Sequence, residues 1–264
     1  MNPLVSVIIP SFNRFDNLLN AIKSVSDQNY KNIEIIVIND GSSDERYKNY
    51  TFGDSVKLIN LDRNSVQTKG YFSDSIRNYG IEESNGKYIA FLDDDDYWLP
   101  NKLYLQVEKL ENSNFSMACS DAIAGMGKYN ENTKYKLYNN EILYNEISNI
   151  YKNSKLKNQF RKYFFYKFQF PEVWNINFLK VHNCILTSSL VVEKKLIEKI
   201  GGFRDIQTKK HYSDYDCWIG LLTHTDCYYF KQPLLHYDIS DGMNVNTKWI
   251  ILSKYQKMFY TFHE

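Results

Sequence analysis

Four aspartates, Asp93 to Asp96, follow the largely apolar run Lys87 to Leu92 without a break and stand directly before Tyr97 and Trp98. A buried strand that ends in this way delivers its carboxylates to the carboxyl edge of a sheet, where open α/β folds take their ligands. Carboxylates so close together raise one another's pKa unless a cation or a hydrogen-bonding ligand keeps them ionised. Oxygen donors of this kind suit Mg²⁺ or Mn²⁺, which bind one or two carboxylates together with substrate phosphates. The run therefore reads as a metal-diphosphate site. An EF-hand is excluded, because no Gly stands at the sixth position of such a loop and no Glu at the twelfth.

Composition narrows the class without naming a reaction. A chain of 264 residues with a formal net charge of +1 holds one large or two small domains and offers no global field for nucleic acid. Cys119, Cys184, Cys217 and Cys227 form no CxxC pair and no His-spaced zinc pattern, so they are expected to be reduced thiols of a cytoplasmic protein. The N-terminal residues lack the basic region of a signal peptide. No apolar stretch approaches the ~18 residues that a membrane span needs.

The elements that must position the aspartates can be read in order. Val5 to Pro10 is an apolar, β-branched run, the pattern of a strand buried on both faces of a parallel sheet, and Ile33 to Ile38 reads as a second buried strand. Between them, Asp16 could cap a helix carrying Leu18, Leu19, Ile22 and Val25. A third strand (Val56 to Leu61), a helix around Ser73 to Glu83, a fourth strand (Tyr88 to Leu92) and a helix after Pro100 continue the alternation. Strands alternating with helices imply βαβ units and a parallel sheet. Ser11 to Arg14, Asp40 to Asp44 and Asp93 to Asp96 then fall just past strand ends and should converge on one crevice. Neither GxGxxG after the first strand nor GxxxxGK[ST] occurs, so a Rossmann dinucleotide site and a P-loop are both unsupported. Asp40 could accept a hydrogen bond from a nucleobase or a ribose, or could simply shape the turn at Gly41.

PSFNR, VINDGSSD, SIRNYGI, GKYIAFLDDDDYW and IGGF, in that order, resemble the family 2 glycosyltransferases of GT-A fold over Pro3 to about Asn112 and again from about Asn183 to Asp241. The resemblance implies one domain over residues 1–264, with a Rossmann-like, mostly parallel α/β sheet flanked by helices. Residues 1–112 would be the nucleotide-sugar half and 113–241 the acceptor half. An aromatic-rich variable segment, 122–180, would lie on the acceptor side, and 242–264 would form a helical tail. By the same resemblance Pro10, Phe12, Asn13, Arg14, Asp40, Arg77, Asp93 and Asp94 would bind the nucleotide-sugar. Asp95 and Asp93 would hold Mn²⁺ or Mg²⁺, with His236 a further candidate. Asp214 would be the catalytic base of an inverting, non-processive transfer from a nucleotide-sugar, with UDP the expected carrier. Trp98, Gly202, Phe203 and Ser213 would face the acceptor. Ser213 stands where the family has a Glu, a departure that weakens the inference about acceptor class.

In the second half, Phe115 to Asp121, CILTSSLVV (Cys184 to Val192) and the stretch before His236 read as strands, Glu193 to Ile200 as a short helix stopped by Gly201-Gly202, and Ser213 as a cap for a helix through Leu222. Lys157 to Phe170 interleaves cations with aromatics, which fits nucleic-acid stacking, a membrane-surface helix, a sugar platform or a helix packed over the sheet with snorkelling cations. The expected partners are a nucleotide-sugar and a glycan or lipid-linked acceptor of surface-glycan synthesis, with no nucleic acid, at the inner face of the membrane or free in the cytoplasm. The rival readings are a nucleotidyltransferase, for which PSFNR offers only Arg14, and a binding relative that has lost its chemistry.

Overall fold

The computed structural model describes residues 2–69, 74–145, 170–205 and 213–240. The proposed tail 242–264 and all of Lys157 to Phe170 except Phe170 itself lie outside the described residues. The strands are β1 (Val5–Ser11), β2 (Ile33–Asn39), β3 (Val56–Asn60), β4 (Tyr88–Phe91), β5 (Tyr97–Trp98), β6 (Met117–Gly125), β7 (Lys136–Leu137), β8 (Val173–Trp174), β9 (Val191–Glu193) and β10 (Cys227–Asp238). They join in one curled sheet of order β3-β2-β1-β4-β9-β6-β10-β5, with β7 beside β6 and β8 beside β10. Neighbours β3-β2-β1-β4 run parallel, as do β6 and β10, while β9 is antiparallel to both β4 and β6.

Alternation along the buried strands explains why both faces are covered. In β1, Ile8 enters one core cluster while Val7 and Ile9 enter the other, and in β2 Ile36 and Ile38 oppose Ile35 and Val37 in the same way. With a side-chain period of two, a strand apolar at every position must be covered on both sides. The helices Phe15–Ser26 and Lys102–Glu111 supply the second cluster, and Trp218 in the helix Ser213–Leu221 joins the first.

Three local expectations are revised. Asp16 does not cap its helix: Arg14 holds the N-cap position without a side-chain cap, and Asp16 pairs instead with Arg46 across the surface. The run Cys184 to Val192 is mostly not strand. Thr187–Ser189 forms a tight 3-10 turn, because the serines find partners that a ladder would deny them. Ser189 Oγ donates to the Leu186 carbonyl, and Ser188 accepts from both the Asp93 amide and the Trp98 indole. The strand expected over Phe115 to Asp121 begins at Met117 and runs on to Gly125.

Lys102 is an unusual member of the core. Its side chain is wholly buried, with Nζ donating to Gln106 Oε1 at 2.7 Å and lying 4.1 Å from the Trp98 ring centroid. A desolvated cation over an indole gains about 2 kcal/mol, whereas burying an ammonium costs several kcal/mol. Burial therefore dominates and pulls the amine well below its usual pKa. The unfolded chain binds a proton here that the folded chain gives up, so stability rises with pH until the ordinary lysine value of about 10.4 is reached. Lys102→Met should accordingly raise the melting temperature near neutrality, with a gain that shrinks as pH approaches 10. Calorimetry across that range checks it, and a pH-independent difference would show that Lys102 enters the core without changing its protonation.

Candidate active site

The chain leaves β4 and turns within four residues, with the Asp96 amide donating to the Asp93 carbonyl at 3.1 Å. Ser188 fixes both sides of this turn, accepting from the Asp93 amide at 3.0 Å through its hydroxyl and from the Trp98 indole at 2.8 Å through its carbonyl. Asp96 points inward, where one carboxylate oxygen accepts from the Asp238 amide at 2.9 Å. Burial, with Asp93 and Asp95 adding repulsion, raises its pKa well above the usual carboxylate range. It ties the turn to β10 and does not face the crevice.

The other three aspartates do. Asp94 accepts from the Ser11 hydroxyl at 2.7 Å, and Arg14 reaches Asp95 at 2.8 Å and Asp94 at 3.5 Å. Even so, burial first and neighbouring carboxylates second push Asp94 up to about 7 and Asp95 up to about 6. One arginine does not offset the desolvation of two carboxylates. Asp93 is held by Arg77, whose Nη2 donates to it at 2.6 Å, while Nη1 pairs with Asp74.

Arg77 comes from the first position of the helix Arg77–Glu82, directly after the 3-10 turn Asp74–Ile76. Phe203 packs beneath its guanidinium, 5.8 Å from ring centroid to carbon. On the far side of the crevice Asp214 sits in the first turn of the helix Ser213–Leu221. It accepts from the Tyr215 amide at 2.6 Å, and the Asn183 amide lies 3.5 Å away. Burial and then Asp74 push its pKa up to about 7, against the pull of Arg77. Asp216 points elsewhere and is gripped by both arms of the Arg204 fork.

These side chains line one cavity of about 730 Å³, which takes in Pro10, Phe12, Arg14, Asp40, Arg77, Asp93, Asp94, Asp95 and Asp214. It also takes in Ser11, which the strand-end pattern had brought to the crevice, and gathers Asp74, Asn183, Tyr138 and Tyr237, which no sequence pattern had singled out as site residues. Asp40 is nearly saturated by protein donors. It accepts from the Ser65 amide at 2.9 Å, the Ser65 hydroxyl at 2.8 Å and the Asn64 amide at 2.9 Å, so it holds the loop after β3 whatever else it does. Asn13, at a positive φ of 53°, aims its amide oxygen at the Ser43 and Asp44 amides at 2.9 and 3.2 Å. It clamps the loops after β1 and β2 together and does not itself line the cavity.

Four expected site residues do not line this cavity. Trp98 is 1% exposed and wedges beneath the acid turn. His236 is fully buried against Tyr135 and Tyr129, with ring centroids 4.5 and 5.7 Å away, and neither of its nitrogens reaches a described hydrogen-bond partner. Burial lowers its pKa, and it does not line the cavity. Phe203 packs on Phe91 and Trp218 and beneath Arg77, and it lines a neighbouring cavity that shares Asp40 and Ile76 with this one. Gly202 lies at φ +70°, where a Cβ would fall 2.4 Å from Asn78 Oδ1. That closeness lets Asn78 bond both the amide and the carbonyl of Phe203. The side chain of Ser213 lies outside the described residues.

The donor set fits a hard divalent cation. Asp93 and Asp95 offer only oxygen, repel one another and would be relieved by a cation between them. Among the described residues no three His, Cys, Asp or Glu side chains surround one point, so further ligands would have to be phosphate oxygens and water, the usual habit of Mg²⁺.

Residues 6–174, well over half of the chain, match the model of glycosyl transferase family 2. The chain belongs to that family. An uncharacterized glycosyltransferase of Rickettsia typhi is 28% identical over 262 residues, which cover 98% of this chain and 71% of its own length. A shorter match is the UDP-Glc:alpha-D-GlcNAc-diphosphoundecaprenol beta-1,3-glucosyltransferase WfgD of Escherichia coli, 39% identical over 115 residues and 43% of each chain. S. aureus TarS 1-349 in complex with UDP-GlcNAc superposes with a TM-score of 0.60 at 14% identity, covering 92% of this chain and 61% of that one. The mannosyltransferase PcManGT from Pyrobaculum calidifontis, in complex with GDP-Man and Mn²⁺, gives a TM-score of 0.58 at 13% identity, covering 96% and 61%. At those identities the likeness shows the shared GT-A fold. Family membership favours glycosyl transfer over the nucleotidyltransferase reading. Among the described residues no helix is long and apolar enough to cross a membrane.

The raised pKa of Asp95 makes a prediction with a definite sign. Its unfolded form loses its proton near the usual carboxylate value and the folded form near about 6, so the favourable contribution present at acid pH is lost as pH rises through that value. Asp95→Asn should melt at the same temperature as the unmodified chain or higher at pH 8, with the difference closing by pH 4. Thermal denaturation at the two pH values tests this, and a variant less stable at pH 8 would mean that the Arg14 contact outweighs the burial of Asp95.

Proposed function

We propose that the chain transfers one sugar from a nucleotide-sugar, with UDP as carrier, to an acceptor hydroxyl with inversion at the anomeric carbon, in the synthesis of a lipid-linked or polymeric surface glycan. The observation that carries this reading is the meeting of the acid turn, Arg77 and Asp214 in one cavity. The fold and family supply its setting, and the glucosyltransferase named above, which by its name acts on a diphosphoundecaprenol-linked sugar, suggests the acceptor class.

In this scheme Pro10, Phe12 and Asp40 border the base and ribose, and Arg77 and Arg14 face the diphosphate. Asp93 and Asp95 would hold Mn²⁺ or Mg²⁺, which when bound neutralises charge growing on the departing diphosphate. Asp214 takes the proton of the attacking hydroxyl as its oxygen bonds to the anomeric carbon. The bond from that carbon to the phosphate oxygen breaks, and its electron pair leaves with the nucleoside diphosphate. A carboxylate with a pKa of about 7 is a stronger base than an ordinary aspartate and remains ionised in about half of the molecules at neutrality.

Asp214→Asn should keep UDP affinity while transfer falls by about 10² to 10⁴, the usual worth of a positioned base. In the unmodified chain the rate should climb as pH rises through about 7, because only the ionised form accepts a proton. Asp216→Asn, already paired outside the cavity, should change the rate by a few-fold at most. Release of UDP from UDP-glucose and UDP-GlcNAc with Mn²⁺ measures all of these. A chain that binds UDP but releases none from either sugar would be a binding relative and not a transferase.

A further inference from the structure

Asp74 belongs to none of the motifs that carry the resemblance to the family, yet it stands at the centre of the cavity's charge arrangement. It opens the 3-10 turn Asp74–Ile76 and pairs with Arg77 Nη1, while Asp93 takes Nη2 at 2.6 Å. The Arg77 and Asp74 side chains are only 5% and 13% exposed, so water does little to loosen the arrangement. Asp74, Arg77, Asp93 and Asp214 all line the same cavity. Three carboxylates thus share one guanidinium, and the two that hold its ends leave Asp214 without a direct bond to it.

We infer that Asp74 is a positioning residue for the transfer step: it fixes the Arg77 guanidinium toward the acid turn and withholds it from Asp214. This rests on the reading of Asp214 as the base. A carboxylate locked in a fork with arginine is a poor proton acceptor, because the ion pair favours its charged form. By engaging Nη1, Asp74 prevents that lock, and its own negative charge acts on Asp214 in the same direction. Among the described residues the remaining groups facing Asp214 are Asp93 from the acid turn, the Asn183 amide and Cys217 on its own helix. Neither Asp93, which holds the opposite end of the guanidinium, nor the uncharged Asn183 can replace what Asp74 does.

The test uses the full chain with UDP-glucose and Mn²⁺, following UDP release from pH 5.5 to 9, together with UDP binding by calorimetry and melting temperature as a check of folding. Asp74→Asn removes the charge and frees Nη1. Its acid limb should move to lower pH and its plateau rate should fall several-fold, with UDP affinity within about twofold of the unmodified chain. Asp74→Glu keeps the charge and should leave the limb where the unmodified chain has it. A folded Asp74→Asn variant with an unshifted limb overturns the inference, as does a rate loss matched by an equal loss of UDP affinity, which would make Asp74 a donor-site residue. If Asp74→Asn does not fold, Asp74→Ser takes its place and is judged by the same limb. An unmodified chain that releases no UDP at any pH would instead sink the transferase reading, and this inference with it.

Discussion

Packing the side chain of Arg77 into the crevice sets the terms for everything around it. With 5% of that side chain exposed, an unpaired guanidinium would cost several kcal/mol, and Asp74 and Asp93 hold it from two sides. Below it, Phe203 is kept in place by Asn78, the next residue on the same helix. The turn that follows Gly201-Gly202, the helix Arg77–Glu82 and the acid turn are therefore positioned by one another. None of the three could shift alone without leaving a charge or a backbone group unpaired.

Around that fixed point the described lining of the cavity carries more negative charge than Arg14 and Arg77 balance. Among the described residues Arg14 serves Asp94 and Asp95, Arg77 serves Asp74 and Asp93, and Asp214 keeps amide donors alone. Burial and repulsion together place Asp94, Asp95 and Asp214 between about 6 and about 7. An empty crevice of this composition is a poor resting state for carboxylates and a good one for a ligand that brings cations with it. Where charge is poorly balanced in the protein alone, the deficit marks where a substrate complex would gain most.

The parts of this arrangement that were legible in the sequence are those written in local pattern. The largely apolar runs of β1, β2 and β4 have no polar side and read as doubly covered strands, so the carboxylates after them were expected to share an edge. What was not legible comes from contacts distant in sequence. Ser188 folds Thr187–Ser189 into a turn because it meets Asp93 and Trp98, and nothing in CILTSSLVV announces this. Trp98 and His236 were read as facing ligands because they neighbour motifs, yet an indole and an imidazole also fill core space, and here they do. Asp74 could not be found by pattern, since its role is defined by Arg77 and Asp214 and not by its neighbours in the chain.

The short strand β9 has a mechanical meaning. Val191 and Val192 pair with Ala90 and Ile89 on one side and with Ala118 and Met117 on the other, so the β1-β4 half and the β6-β10 half are one woven surface. Gln106 adds a stitch by donating to the carbonyls of Ala118 and Ser189 at 3.0 and 2.8 Å. Swinging one half away from the other would tear these rungs together. The two halves therefore do not swing as a pair of jaws, and the span from the acid turn to β10 behaves as a fixed gauge.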